Sequence, residues 1–294
     1  MADSYGQADI RGLDVDRLAK GFADEAIVLK QYCNVVTTGF TELRYYSKTA
    51  GFLDSTDSTG STDSKILDVA FRAQPDVIGQ SWTRNTAYVK KFFVESELIS
   101  NEDIKGADID LIATTVRDLV RAVEHQVDLR IYNVLTESDT PSNIQDITIT
   151  HEWDDTANAV PVSDLLTARE YLRNYNYEAN GAILLMRPDA ARFLINHLIA
   201  VKGSSIPNFA SDTVRTGVVM ELLGLRLVES SVCTSDKAVV FVPNRAVTWK
   251  QFAPISSTII DEPMIGKKIR VMEEGEAILT DPKAVVYLAN VGPS

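Results

Sequence analysis

Residues 108–137 read DIDLIATTVRDLVRAVEHQVDLRIYNVLTE, from Asp108 to Glu137. Apolar side chains recur at Ile109, Ile112, Val116, Leu119, Val120, Val123, Val127, Ile131, Val134 and Leu135. Steps of three and four residues place them on one stripe of an α-helix. No Gly or Pro interrupts the run, and Pro141 follows its end. The spacing therefore predicts a single helix over 108–137, N-capped by Asp108. Its core stripe is Ile112, Val116, Leu119, Val123, Val127 and Ile131. Asp110, Arg117, Asp118, Arg121, Glu124 and Asp128 are assigned to the opposite, polar face. Such a helix is roughly 40 Å long at 1.5 Å per residue, against a mean of about 11–12 residues in globular domains. It suggests an extended plate built around one rod; periodicity alone supports an ordinary long core helix equally well.

The chain of 294 residues can form one large domain or two modest ones. It is 45% hydrophobic and 24% charged, the profile of a folded, soluble protein. No apolar run approaches the ~20 residues of a membrane span. The first residues, MADSYGQADI, lack the basic and apolar regions of a signal peptide, and no Asn-x-Ser/Thr sequon occurs. Cys33 and Cys233 stand far apart, so two reduced thiols are expected rather than a disulfide framework or a metal knuckle. With 41 acidic and 29 basic side chains the net charge is −12. Duplex nucleic acid is gripped through Lys and Arg on phosphates. An acidic chain with no basic cluster is a poor direct DNA binder.

Working outward from the helix, 82–99 is a long strand pattern, and Ser100-Asn-Glu-Asp103 a capped helical turn. Further upstream, two strand-like runs, 39–48 and 65–73, flank the eleven polar residues 54–64. That tract cannot bury enough surface to offset its ordering entropy. The expectation is an extended β-hairpin with a polar tip. Its exposed edges and aromatics would be an aggregation hazard unless another subunit covers them. Residues 13–33 form a weaker helical stripe, too short to be stable alone. Downstream, 147–150 is a short strand and Ser163 caps a helix to about Asn174. Residues 181–186 are a buried strand, and Pro188 starts a helix. Strands are predicted at 225–230, 238–242, 246–252, 267–272, 277–280 and 284–290, with a turn at 273–276.

Motifs for chemistry are missing from the sequence. His125, His151 and His197 stand outside any H-E-x-x-H spacing. His151 with Glu152, Asp154 and Asp155 is the best metal candidate, and a solvated acidic turn is the far stronger reading. There is no G-x-G-x-x-G, no Walker loop and no G-x-S-x-G elbow. Carboxylate pairs such as Asp14/Asp16, Asp108/Asp110 and Glu273/Glu274 are expected by chance among 41 acids. No catalytic, cofactor-binding or metal-binding residue is assigned, and the chain does not read as an enzyme.

The order of parts is arm, hairpin with polar tip, long strand, long helix, mixed α/β segment, closing strands. It resembles the major capsid proteins of tailed bacteriophages, the Hong Kong 97 fold shared with encapsulin shells. Three local stretches carry the resemblance: Asn85-Thr-Ala-Tyr-Val-Lys90 through Ser96-Glu-Leu-Ile99; Gly224-Leu-Arg-Leu-Val-Glu-Ser230 followed by Lys237-Ala-Val-Val-Phe-Val242; and Ile269-Arg-Val-Met272 with Asp281-Pro-Lys-Ala-Val-Val-Tyr287. The match covers roughly residues 40–292.

The resemblance implies an α+β phage capsid fold. It implies an N-terminal arm (1–39) and an extended loop (40–81). It further implies a peripheral domain (82–144 and 262–294) with spine helix 108–137, and an axial domain (145–261). Leu18, Phe22, Leu29, Tyr45, Tyr46, Phe52 and Phe71 are then the expected inter-subunit contacts. The implied function is self-assembly as pentamers and hexamers into an icosahedral shell around packaged double-stranded DNA, which is enclosed without sequence-specific binding. The location is the virion capsid, assembled in the host cytoplasm. Scaffolding, portal and decoration proteins are the further partners the family implies; no cofactor and no membrane are involved. Some relatives cross-link the loop through Lys and Asn. Lys48, Lys65 and Asn290 are present, but the surrounding motif does not match, and that chemistry is not carried over. An encapsulin-like cargo compartment is the alternative within the fold, and a soluble α/β enzyme or binding protein the alternative outside it.

Overall fold

The expected rod exists as one helix, Leu111–Leu135. The computed structural model describes residues 19, 28–50, 71–74, 81–106, 110–136, 144–155, 157–198 and 221–293. The helix cap is Asp110, not Asp108, which lies outside the described residues. Asp110 Oδ1 accepts the backbone N–H of Ile112 and of Ala113, each at 3.1 Å, satisfying two donors that the first turn leaves open. Val116, Val120, Val123, Val127, Ile131, Val134 and Leu135 are buried, whereas Ile112 and Leu119 are half-buried.

In chain order the strands are β1 (Asn34–Thr37), β2 (Glu42–Ala50), β3 (Ser81–Tyr88), β4 (Lys90–Glu95), β5 (Ile99–Ser100), β6 (Gln145–Thr148), β7 (Ala182–Met186), β8 (Glu221–Leu222), β9 (Leu225–Glu229), β10 (Lys237–Phe241), β11 (Val247–Glu262), β12 (Gly266–Leu279) and β13 (Val285–Ala289). The chain divides into two units. One comprises 1–43, 87–133 and 248–278; the other comprises 44–86, 134–247 and 279–294.

The first unit holds a sheet in the order β1-β11-β12-β4, with β5 also on β12. β1 runs parallel to β11, pairing Asn34 with Thr248 and Thr37 with Gln251. β4 runs antiparallel to β12, pairing Val94 with Val271. Val116, Val120 and Val123 of the long helix pack with Ile255, Ile269 and Val271, and with the half-buried Phe92 and Val94. Ser100 Oγ donates to Asp103 Oδ2 at 2.8 Å and accepts the Asp103 N–H at 3.0 Å, a reciprocal cap for the short helix Asn101–Gly106.

Three expectations change here. The long strand expected over 82–99 is two strands, broken at Val89, whose N–H leaves to bond Thr41 O. The closing strands are longer than predicted: β12 runs unbroken through 273–276, where the acidic run reads as a turn. Glu273 and Glu276 are fully buried instead of facing solvent. Finally, β11 belongs to this unit, not with the 145–261 segment, because its first residues are held by β1 and its length by β12.

The second unit is a six-stranded sheet, β6-β13-β10-β7-β9-β8. All five residues of β7 are buried, which is why its sequence is apolar without alternation. β7 pairs parallel with β9 and antiparallel with β10. The helices Pro161–Asn174 and Pro188–Asn196 each begin on a proline, whose missing N–H costs nothing there. Ser163 is therefore inside the first of these helices rather than its cap. Leu165, Leu172, Leu184, Met186, Leu194, Val240 and Leu288 lie in one apolar core. β8 and β9 are joined at Leu223 (φ 56°) and Gly224 (φ 76°), the two positive φ angles that a tight hairpin turn of matching twist demands. β13 lies between β6 and β10. The C-terminal strand thus departs from the expected 262–294 grouping with the helix.

β2 and β3 form a separate two-stranded sheet. Among the described residues the 39–48 run pairs with the 81–88 strand; most of the expected partner run, 65–73, lies outside the described residues. The expected tip, 54–64, lies outside the described residues.

Candidate functional site

The chemistry of the first unit concentrates where residues 28–33 meet the long helix. Lys30–Tyr32 form one 3-10 turn, and Leu29 at its start offers no side-chain cap. The acceptor comes from about a hundred residues away. The Asp128 carboxylate takes the backbone N–H of Val28 (3.1 Å), Leu29 (3.1 Å) and Lys30 (3.4 Å). A buried carboxylate bound to three amides is a charge-assisted cap. Burial pushes the Asp128 carboxyl above its ordinary range, and those amides pull against the shift.

Lys30 turns inward beside it. Its Nζ donates to Glu273 Oε1 at 2.5 Å, lies 3.8 Å from Glu124 Oε1 and sits 5.9 Å from the centre of the Trp249 ring. Glu124 and Glu273 are completely buried, and Lys30 is 8% exposed. One ammonium thus serves two buried carboxylates, beside a third, Asp128, that holds the backbone amides. Neither oxygen of Glu124 has a hydrogen-bond partner, nor has Glu273 Oε2. Burial, reinforced by the neighbouring charges of Glu273 and Asp128 and opposed by Lys30, pushes the Glu124 carboxyl up to about 8. Cys33, also buried, is pushed up to about 12, chiefly by desolvation. A second buried acid, Glu276, accepts from Arg130 Nε at 2.5 Å. Gly275 makes room for the cluster's wall: a Cβ there would lie 2.4 Å from Trp249 Cζ2.

The expected polar face of the long helix is corrected by this geometry. Glu124 and Asp128 are interior, because each sits one position beyond a stripe residue, Val123 and Val127, and the stripe is wide enough to include them. The signal for Glu273 was its parity. It lies on the same face as Ile269 and Val271, both buried, along a strand of period two. Lys30 and Trp249 carried no such signal.

The expected subunit contacts fall in different places. Leu29 is corrected: it is fully buried within its own subunit, pinned by Asp128. Tyr45 is half-buried, Tyr46 is exposed and Phe71 is fully exposed. Leu18, Phe22 and Phe52 lie outside the described residues. Phe40 and Tyr88, which sequence reasoning did not single out as contacts, are also exposed. At the acidic turn, His151 Nδ1 is 4.0 Å from Asp155 Oδ2. The Asp155 carboxylate is already engaged by the Asn158 side chain and by the amides of Ala157 and Asn158. Among the described residues no group of His, Cys, Asp and Glu is arranged to hold a metal ion.

The fold is that of viral shells. The virus-like particle of Pyrococcus furiosus superposes with a TM-score of 0.64 at 10% identity, over 95% of this chain and 99% of that one. A Mycobacterium phage Che8 structure does so at 0.61 and 18% identity, over 86% of each chain. The capsid of cyanophage P-SCSP1u gives 0.65 and 12% identity, over 90% of this chain and 88% of that one. No curated protein sequence matches the chain closely enough to count as a relative. The sequence model of the phage capsid protein family matches residues 84–288, from β3 through the long helix to β13. With more than half of its length matched, this α+β chain of Hong Kong 97 fold belongs to the phage capsid protein family, a structural protein of the viral shell.

Proposed function

We propose that this chain is the major coat subunit of a tailed phage, assembling as pentamers and hexamers into an icosahedral shell around packaged double-stranded DNA. The observation that carries the reading is the family match over 84–288. Assembly takes place in the host cytoplasm, with scaffolding, portal and decoration proteins as the further partners. The net charge of −12 supports a wall along which DNA slides without being gripped. The described surface supports interlocking subunits: Phe40, Tyr46, Phe71 and Tyr88 are exposed aromatics that a neighbour would cover. Residues 40–81 serve as the loop that overlaps the next subunit, with Tyr45, Tyr46, Phe52 and Phe71 at the contact. Leu18 and Phe22 belong to an arm reaching another subunit, and the arm begins upstream of Val28. In this reading the helix-bearing part, 82–144 with most of 262–294, is the peripheral domain and 145–261 the axial one; the two units support moving 248–261 to the former and 279–294 to the latter.

Negative-stain microscopy of the purified chain tests the assembly. Closed shells or capsomer sheets are expected, and a monodisperse monomer or dimer overturns the reading. Deleting 54–64 should leave a folded subunit whose yield of closed particles falls at least several-fold; a wild-type yield would remove the loop from the contact. A cargo-enclosing compartment is the second reading, favoured by the match to the Pyrococcus furiosus virus-like particle over 99% of its chain. Nuclease-protected DNA in particles from phage-producing cells supports the coat, and particles filled with a single protein support the compartment.

A further inference from the structure

We propose that Glu124 and Glu273 form a proton-sharing latch that locks residues 28–33 onto the long helix and lets them go when the proton is lost. The geometry contains more acceptors than donors. Lys30 Nζ bonds Glu273 Oε1 at 2.5 Å and stands 3.8 Å from Glu124 Oε1. Both Glu124 oxygens and Glu273 Oε2 lack a hydrogen-bond partner in a fully buried setting. Two buried carboxylates side by side cannot both be ionised without a large electrostatic cost. Glu124 and Glu273 share the one Lys30 ammonium, so a proton on Glu124 removes one of the two buried charges and supplies a donor where only acceptors stood.

The groups facing Glu124 from each packed element are few. The turn supplies Lys30. β12 supplies Glu273, β11 supplies the Trp249 ring, and the helix itself supplies Asp128. The charges next along are already matched elsewhere: Arg130 with Glu276 and Lys91 with Glu274. Among the described residues Lys30 is therefore the only cation for three acids, and Asp128 spends its charge on three backbone amides. Loss of the shared proton leaves two carboxylates on one ammonium. Water must then enter to hydrate them, and among the described residues the single turn at 28–33 is the segment tied to the cluster that can give way.

The direction follows from linkage. The Glu124 carboxyl is raised on folding, so the native state holds a proton that the unfolded chain gives up near 4.5. The latch contributes fully at acid pH, weakens as pH rises, and is spent above about 8. Alkali, not acid, opens it. The inference does not rest on the shell reading, since it concerns the isolated subunit.

The latch exposes its own reporter, because trypsin cuts after Lys30. Cleavage at Lys30 in the full-length unassembled chain is measured across about pH 7 to 9.5 and normalised to cleavage of a free peptide of residues 26–34. The normalised rate should rise at least about tenfold in the wild type, following ionisation of one group. In Glu124→Gln, which keeps a donor without a titratable proton, it should stay flat and low. A flat wild-type profile, or an equal rise in Glu124→Gln, overturns the proposal. Should Glu124→Gln fail to fold, infrared difference spectra of the wild type decide instead. The protonated-carboxyl band should disappear over the same pH range and be missing from Glu273→Gln or shifted in it; no such band at neutral pH overturns the latch.

Discussion

The two units of this subunit have interiors of opposite kinds. The core of the six-stranded unit is Leu, Ile, Val, Ala and Met with Trp153, β7 being apolar on both faces; its buried polar side chains among the described residues are His197 and Ser230. The five-stranded unit carries Lys30, Glu124, Asp128, Glu273 and Glu276 in its interior, beside a smaller patch of valine and isoleucine. The contrast separates two ways of holding a chain in place. An apolar core is non-directional and tolerates repacking. A buried charge cluster is directional: three amides on Asp128 and one ammonium on Glu273 admit a single placement of residues 28–33. Buried ion pairs add little net stability, because desolvation offsets attraction, but removing one partner leaves an uncompensated charge.

That asymmetry predicts the largest effect. Lys30→Met should lower the stability of the five-stranded unit by about 3–5 kcal/mol, read from the denaturant midpoint of the unassembled subunit. The triple change Lys30→Met, Glu124→Leu, Glu273→Leu should recover most of that loss. A triple variant as weak as the single one would mean that the charges carry stability in their own right, and the comparison would break. Next, Leu184→Ala in the centre of β7 should cost about 2–5 kcal/mol through transfer and cavity terms. Smallest is Gly275→Ala, about 1–3 kcal/mol of overpacking, since its Cβ would overlap the Trp249 ring and approach Lys250 O at 3.0 Å. An unaltered midpoint with unaltered tryptophan fluorescence would show that the wall of the charged core yields freely.

The difference between the units also explains what could be read in advance. β7, β9, β10 and β13 follow their apolar patterns to within a residue or two, and one helix starts on the predicted Pro188. Hydrophobic periodicity is a local signal, and this unit is built from it. The errors cluster in the other unit. Glu124 and Asp128 were assigned to solvent because charge ordinarily marks the outer face of a helix. The Glu273–Glu276 run was assigned to a turn for the same reason. Leu29 was assigned to a neighbouring subunit, because nothing near it in sequence announces that Asp128 will accept its amide.

The one-dimensional chain by itself determined the rod, the order of strands and helices, and through them the capsid family. Each depends on spacing within about ten residues, which propensity and period encode. Only the tertiary structure decided which acids are interior. It placed β13 in the six-stranded sheet and β11 in the five-stranded one, and it joined Val28–Lys30 to Asp128. These depend on partners outside the local window, up to 243 residues apart for Lys30 and Glu273, and a buried carboxylate is tolerable only where a particular donor from elsewhere in the chain comes to meet it.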